Sequence, residues 1–165
     1  KSVSAEPLIH GGAQERGLRG GTENVYGIVG LAKAMDLAYE DVKAHQNHVQ
    51  SLKTYMMEEL IKAIPNVEFH GETDPAYSLY TVLNVCFPKT DKSSMLLFTL
   101  DLKGVAVSGG SACSSGASVG SHVLTNINAD MTRPNARFSF SRYTTKEEID
   151  FALEQVKSCF EKTLA

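Results

Sequence analysis

The residues with the clearest capacity for chemistry form one short stretch, 108–120, made almost entirely of glycine, serine and alanine around Cys113. A free cysteine is usually buried as a small hydrophobic residue, but this one has almost no apolar neighbours. The backbone amides of such a loop can bind a phosphate group, although no Gly-Lys-Ser or Gly-Lys-Thr follows here. Alternatively, a thiol on such a loop can act as a nucleophile that moves between two partners. The rest of the sequence favours the second interpretation.

The composition excludes some classes of binding partner and indicates the cellular compartment. The 165 residues, 42% hydrophobic and 21% charged, are enough for one globular domain with a buried core. A net charge of −3 offers no basic field to nucleic acid, and no stretch approaches the ~20 apolar residues of a membrane span. The three cysteines, at 86, 113 and 159, include no Cys-x-x-Cys. We therefore predict no disulfide framework, no metal site, no nucleic-acid or membrane partner, and a reducing, cytoplasmic setting.

The elements that must position the loop follow from the spacing of apolar residues. Apolar residues recur at helical spacing from 25 to 64, and a break in the helix is expected among the polar residues 43–48. Thr22 stands where the N-cap of this helix belongs. Strands are predicted at 67–70, 80–87, 105–107 and 136–142; shorter helices are predicted after Ser93 or Ser94, at 122–127, and after Thr144 or Thr145. This order predicts an α+β fold, a small and mainly antiparallel sheet covered by helices.

Residue type alone leaves several candidates open. Glycines beside Arg16 and Arg19 in the first 24 residues indicate either backbone brought close to an anion or a solvated surface loop. Arg137 lies on the polar face of a predicted strand, where an arginine usually faces solvent. Cys86 lies within an apolar strand and Cys159 borders the apolar stripe of the last helix, so both are interpreted as structural.

Three motifs, in order, resemble those of one enzyme family. Residues 10–22 read HGGAQERGLRGGT, residues 108–115 read SGGSACSS, and residues 136–142 read ARFSFSR, followed by TTKEEID at 144–150. These resemble the H-G-G-x-x-E-R-G-x-R-x-G-T, S-x-G-S-A-C-[ST]-S and [IV]-R-[FI]-S-x-[GS]-R motifs of NifS-like cysteine desulfurases, in the class V aminotransferase group. The resemblance covers essentially the whole chain but only the C-terminal part of the family's length.

The resemblance implies a function and a set of site residues. It implies an enzyme that depends on pyridoxal 5'-phosphate (PLP), takes sulfur from L-cysteine to leave alanine, and carries it as a persulfide on Cys113. Arg137 would bind the substrate carboxylate, for which a guanidinium is better suited than an ammonium group. Thr22 would contact the cofactor phosphate of a neighbouring subunit, which implies a homodimer. The sulfur would then pass to an iron–sulfur scaffold protein or another acceptor.

One expected feature is absent from the sequence. The family binds PLP through a lysine that follows a histidine in its N-terminal large domain, and no His-Lys pair occurs here. All eleven lysines are predicted at the terminus, on polar helix faces or in loops. We therefore expect a portion of a fold-type I PLP enzyme that is inactive by itself. Its parts are a glycine-rich loop leaving the large domain (1–24), a crossover helix or helices (25–66), and a small α+β domain (67–165) with the active loop 108–120.

Two alternatives stay open at this stage. A selenocysteine lyase is chemically similar and is poorly separated from a cysteine desulfurase by sequence. A non-catalytic module that only carries a thiol or persulfide would need no PLP lysine at all. A fused large domain upstream of Lys1 would favour the desulfurase.

Overall fold

The structure is a computed structural model, and it describes residues 5–91, 93–109 and 121–160. The chain divides into two compact units, Lys1–Val42 and Lys43–Ala165, and each is described here by itself. The active cysteine of the sequence analysis, Cys113, lies outside the described residues.

The first unit holds a short 3-10 turn, Gln14–Gly17, and helix α1, Val25–Tyr39. The N-cap of α1 is Asn24, whose side chain accepts a hydrogen bond from the Gly27 backbone N–H at 3.0 Å. The prediction that Thr22 caps this helix is therefore wrong. Asparagine is as good a cap as threonine or better, and Asn24 directly precedes the first helical residue.

The glycines of the first unit pack against their own loop. An added Cβ at Gly20 would lie 2.6 Å from the Gly11 nitrogen, so only glycine allows this approach of two backbone segments. Arg19 Nη1 donates to the Gly21 and Thr22 carbonyl oxygens at 3.2 and 2.9 Å. Of the two interpretations left open, an anion near the backbone or a solvated surface loop, the described contacts favour the second, because the glycines and Arg19 contact the loop's own backbone.

Helix α2, Val42–Ala63, supplies the first buried stripe of the second unit. Val49, Leu52, Met56, Leu60 and the following Ile64 are all buried, as their spacing predicts. The break between α1 and α2 falls at residues 40–41, earlier than the predicted 43–48. Polar residues such as lysine and glutamine propagate a helix well, so residues 43–48 continue the helix rather than break it, with His45 and Gln46 half-buried.

Three short strands form an antiparallel sheet in the order β1-β2-β3: Glu68–His70, Val82–Cys86 and Asn135–Ser139. This confirms the predicted α+β class. Leu83, Val85, Ala136 and Phe138 face the core, whereas His70, Asn84 and Arg137 lie on the opposite face. The strand predicted at 105–107 is not present; pairing there is limited to a single bridge between Ser108 and Arg137.

The remaining helices are α3 (Leu96–Leu102), α4 (His122–Asn126) and α5 (Lys146–Phe160). A 3-10 turn, Ser93–Met95, precedes α3. The N-cap of α3 is Met95, so the prediction that Ser93 or Ser94 caps this helix is wrong. Helix α5 starts as predicted, with Thr145 and Glu148 each accepting a hydrogen bond from the other's backbone N–H. The buried residues of α5 are Ile149, Leu153, Val156 and Phe160.

Arg133 joins one end of the sheet to the loop before β1. Its guanidinium donates to the carbonyl oxygens of Phe87 (3.1 Å), Cys86 (3.3 Å) and Asn66, and it pairs with the Glu68 carboxylate. The Arg133 side chain is 17% exposed. It therefore acts as a structural cross-link, a role the sequence analysis did not assign.

Candidate functional site

A cavity of about 460 Å³ lies against the polar face of the sheet, and Arg137 is in its wall. The three strands place His70 opposite Asn84, and Asn84 opposite Arg137, in one row across that face. Helix α4 supplies the other side of the cavity. All three residues of the row line the cavity, so this wall of the candidate site is built from strand positions of fixed register.

Arg137 has a backbone that is hydrogen-bonded to Ser108 and a side chain whose Nε is unpaired. Its backbone N–H donates to the Ser108 carbonyl at 2.6 Å, and its carbonyl accepts from the Ser108 N–H at 3.2 Å. Its Nε is buried and has no hydrogen-bond partner in the structure. Buried donors are nearly always paired in folded proteins, so an unpaired donor in a cavity wall is open to a ligand's acceptor. A carboxylate is the group that a guanidinium binds best.

Asn84 and His70 complete the row, and the sequence analysis assigned neither a role. The Asn84 Oδ1 atom is also buried without a partner. Burial, and then the charge of Arg133, lower the pKa of His70, which favours the neutral imidazole. Strand alternation would place Asn84 on the face opposite Leu83, but the register that aligns these three residues depends on contacts between distant segments.

Both described ends of the 110–120 segment reach this cavity. Gly109 and Ser121 are among the residues that line it. Gly109 packs so closely on α3 that an added Cβ would overlap the Leu97 side chain. Ser121 caps α4, where its side chain accepts from the Leu124 N–H at 3.5 Å. The two ends of the segment that contains Cys113 are therefore anchored beside Arg137.

The two described cysteines occupy structural positions. Cys86 is 1% exposed, and Cys159 packs against the core with its thiol donating to the Gln155 carbonyl at 3.3 Å. Burial raises the pKa of both thiols, which disfavours the thiolate that sulfur chemistry requires. The interpretation of Cys86 as a core residue is confirmed.

Thr22 belongs to the first unit and is exposed. Its carbonyl accepts from Arg19, whereas its hydroxyl makes no hydrogen bond with the described residues. The hydroxyl is thus available to a phosphate group, and this fits the role that the resemblance implies. Its proximity to α1 does not make Thr22 the cap, because Asn24 occupies that position.

Among the described residues, the buried lysine Lys53 is not free to bind PLP. Lys53 lies 2% exposed on α2, which contradicts the prediction that every lysine lies at the terminus, on a polar helix face or in a loop. Burial lowers the pKa of Lys53. Its ammonium donates to Ser78 Oγ (2.5 Å) and to the Leu79 carbonyl (2.9 Å), so it is occupied in holding the loop before β2.

Two other kinds of site are absent from the described ranges. In residues 5–91, 93–109 and 121–160, no three His, Cys, Asp or Glu side chains gather where they could hold a metal ion. No helix in that part of the chain combines the length and hydrophobicity that a bilayer crossing requires.

Comparison with known proteins identifies the family. The sequence model described as "Aminotransferase class-V" matches residues 4–151. The chain belongs to the class-V aminotransferase family. It is 39% identical over 164 residues to the cysteine desulfurase IscS of Dictyoglomus turgidum, and 40% identical over 164 residues to that of Methanosarcina thermophila. These alignments cover 98% of this chain in each case.

This class-V aminotransferase chain also resembles solved structures of the same group. A structure titled NifS-like protein superposes with a TM-score of 0.77 at 34% identity, covering 98% of this chain and 40% of that one. The chain likewise spans only 41% and 40% of the lengths of the two curated relatives. The likeness therefore extends through this whole chain and through less than half of each relative.

Proposed function

We propose that this chain is the C-terminal portion of a PLP-dependent cysteine desulfurase that transfers sulfur from L-cysteine to Cys113. The observation that carries the proposal is the buried, unpaired Arg137 Nε in a cavity lined by both described ends of the Cys113 segment. The similarity to proteins named cysteine desulfurase supports it independently.

Arg137 binds the substrate carboxylate in this proposal. The Ser108–Arg137 backbone bridge holds the base of the side chain, so substrate binding need only orient the guanidinium. A charge-assisted bond to a carboxylate would satisfy the donor that is unpaired without substrate. The same bridge fixes Ser108, so the substrate is held at the start of the Cys113 segment.

Cys113 is the sulfur acceptor. Its thiolate attacks the substrate sulfur, the S–S bond forms as the substrate Cβ–S bond breaks, and Cβ keeps the electron pair and takes a proton. The products are alanine and a Cys113 persulfide, so atoms and electrons balance without an added oxidant. PLP, when bound, withdraws electrons from the substrate and makes this bond easier to break. The persulfide sulfur then passes to an iron–sulfur scaffold protein or another thiol acceptor.

Thr22 holds the cofactor phosphate of a neighbouring subunit in this proposal, so the active enzyme is a homodimer. Its compartment is the cytoplasm, the reducing setting that the cysteine usage predicts. The exposed hydroxyl of Thr22 can donate to a phosphate oxygen. In this proposal the lysine that binds PLP lies outside this chain, since no His-Lys pair occurs in the sequence and the buried Lys53 is engaged with Ser78 and Leu79. By itself the chain would bind no PLP and release no sulfide.

The experiment that tests this function compares the three cysteines in the full-length protein. After incubation with ³⁵S-labelled L-cysteine, Cys113→Ser should carry no label that a reductant can release, while PLP absorbance stays unchanged. Cys86→Ser and Cys159→Ser are matched controls that should keep the label. Cys86→Ser should lower the free energy of unfolding by about 1–3 kcal/mol, because it buries a hydroxyl. Cys159→Ser should cost less, because residue 159 is half-buried and a hydroxyl can donate to the same Gln155 carbonyl.

Other outcomes distinguish the alternatives. Label that persists in Cys113→Ser would contradict the proposal. A higher kcat/KM for L-selenocysteine than for L-cysteine would indicate a selenocysteine lyase. Label that appears on Cys113 only when a second persulfide-bearing protein is added would indicate a carrier module.

A further inference from the structure

The cavity that contains Arg137 has two walls of different character. The sheet wall carries the polar row described above, together with Val82. The α4 wall carries Val123, Leu124 and the C-cap residue Ile127, and this spacing puts all three on one side of the helix. The cavity therefore offers a ligand a charged group on one wall and apolar surface on the other, as sites for small molecules commonly do.

The polar side chains of α4 are turned to the helix itself or lie at its start. Thr125 and Asn126 donate to the carbonyl oxygens of Ser121 and His122 at 3.1 and 2.8 Å, and neither is among the residues that line the cavity. Ser121 does line it, but its hydroxyl accepts from the Leu124 N–H. Apart from Ser121 and His122, the side of α4 that faces the cavity is thus apolar.

Two residues of this apolar side are open to a ligand. Leu124 is 4% exposed, whereas Val123 and Ile127 are 55% and 47% exposed. Covering such surface with an apolar group is favourable because it removes the surface from water. A thiol behaves as a small hydrophobic group when it is buried. A hydroxyl, by contrast, loses its hydrogen bonds to water and needs a new partner.

We propose that Val123 and Ile127 determine the side-chain specificity of the site: the substrate side chain lies against them, which favours the thiol of L-cysteine over the hydroxyl of L-serine. This inference rests on the proposed function of Arg137, which binds the carboxylate. L-Serine differs from L-cysteine only in having oxygen in place of sulfur. Because the carboxylate and the amine are the same in both, Arg137 cannot distinguish them, and the selection depends on the wall that the side chain contacts.

The test measures inhibition of the full-length protein by L-2-aminobutyrate and by L-serine, with L-cysteine as the substrate. The two inhibitors share the carboxylate and the amine, and their side chains end in a methyl group and a hydroxyl, respectively. In the wild type, the inhibition constant of L-2-aminobutyrate should be about tenfold or more below that of L-serine. The double variant Val123→Thr, Ile127→Thr should reduce this ratio at least about threefold, because each threonine hydroxyl can bond to the hydroxyl of L-serine.

The chain offers a matched control in Ile61, which is 59% exposed on α2 and is not among the residues that line the cavity. Ile61→Thr makes the same chemical change as Ile127→Thr at a comparably exposed position. It should leave the ratio of the two inhibition constants within about twofold of the wild-type value. A ratio that falls equally in Ile61→Thr and Ile127→Thr would overturn the inference, because the effect would not depend on the cavity.

Two further results would overturn the inference. Equal inhibition by L-serine and L-2-aminobutyrate in the wild type would mean that the side chain faces the polar row instead. An unchanged ratio in the double variant would mean that α4 does not contact the side chain. Arg137→Met separates these failures from a failure of the proposed function, because it should weaken both inhibitors by a similar factor, roughly ten- to a hundredfold. Unchanged inhibition by both compounds in Arg137→Met would overturn the proposed role of Arg137, whatever the ratio shows.

Discussion

Two arginines, one before β3 and one in its middle, show how differently this fold uses one residue type. Arg133, just before the strand, donates to three carbonyl oxygens and pairs with Glu68. Arg137, in the strand, has a buried Nε that donates to nothing. The sequence places both arginines in polar surroundings and gives no sign of this contrast. The contrast indicates that the Arg133 guanidinium is satisfied within the chain, whereas the Arg137 Nε is open to a ligand.

The largest expected effect on stability comes from removing the Arg133 cross-link. Arg133→Met should lower the free energy of unfolding by about 2–4 kcal/mol, because carbonyl oxygens lose their donor. Denaturant unfolding of the chain measures this loss. The control is Glu68→Gln, which should lose about 1 kcal/mol or less, since Glu68 is 65% exposed. Equal losses would mean that the ion pair, not the carbonyl bonds, stabilises this end.

Replacing Arg137, in contrast to Arg133, should change the kinetics strongly and the free energy of unfolding little. Arg137→Met removes a buried unpaired donor, so the free energy of unfolding should stay the same or rise by up to about 1 kcal/mol. In the full-length protein the same variant should raise KM for L-cysteine roughly ten- to a hundredfold, which corresponds to about 1.5–3 kcal/mol. A loss of stability comparable to that of Arg133→Met, with unchanged kinetics, would contradict the comparison.

The smallest effect concerns His70, which lies in the same cross-strand row as Arg137. Burial and Arg133 lower the pKa of His70 in the folded state, and Glu68 opposes them only weakly. The folded state therefore binds fewer protons than the unfolded state below about pH 6.5, the ordinary histidine value. The contribution of His70 to stability should be full above that pH and should be lost as the pH falls towards the folded pKa.

The measurement is the free energy of unfolding of the wild type minus that of His70→Gln, from pH 8 to pH 5. Glutamine keeps a hydrogen-bonding side chain but does not titrate, so it serves as the matched variant. A difference that declines with falling pH would support the lowered pKa. A difference that increases as the pH falls would mean that the protonated imidazole is favoured, by Glu68.

Local patterns were enough to predict most of the buried framework. The stripes of α2 and α5 and the alternation of β3 follow directly from residue spacing, and the structure confirms them. The capping pair of Thr145 and Glu148 is likewise a local feature. These predictions succeeded because each depends on residues no more than about two helical turns apart.

The failures have a different physical origin. Lys53 looked like a surface lysine because its acceptors, Ser78 and Leu79, come from a distant loop. The predicted strand at 105–107 has suitable residues, but only Ser108 reaches a partner. The row of His70, Asn84 and Arg137 needs two strand registers at once. Spacing along the chain carries none of this information.

The close packing of Gly109 on Leu97 has a consequence for how the cysteine segment can change over generations. Any side chain at 109 must displace the Cδ1 end of Leu97, which is a flexible, half-buried side chain that can turn aside. A small residue at 109 should therefore be tolerated where Leu97 rotates or is replaced by a smaller residue. The two positions are expected to vary together among descendants of this sequence, because the contribution of Gly109 is space beside α3 rather than chemistry.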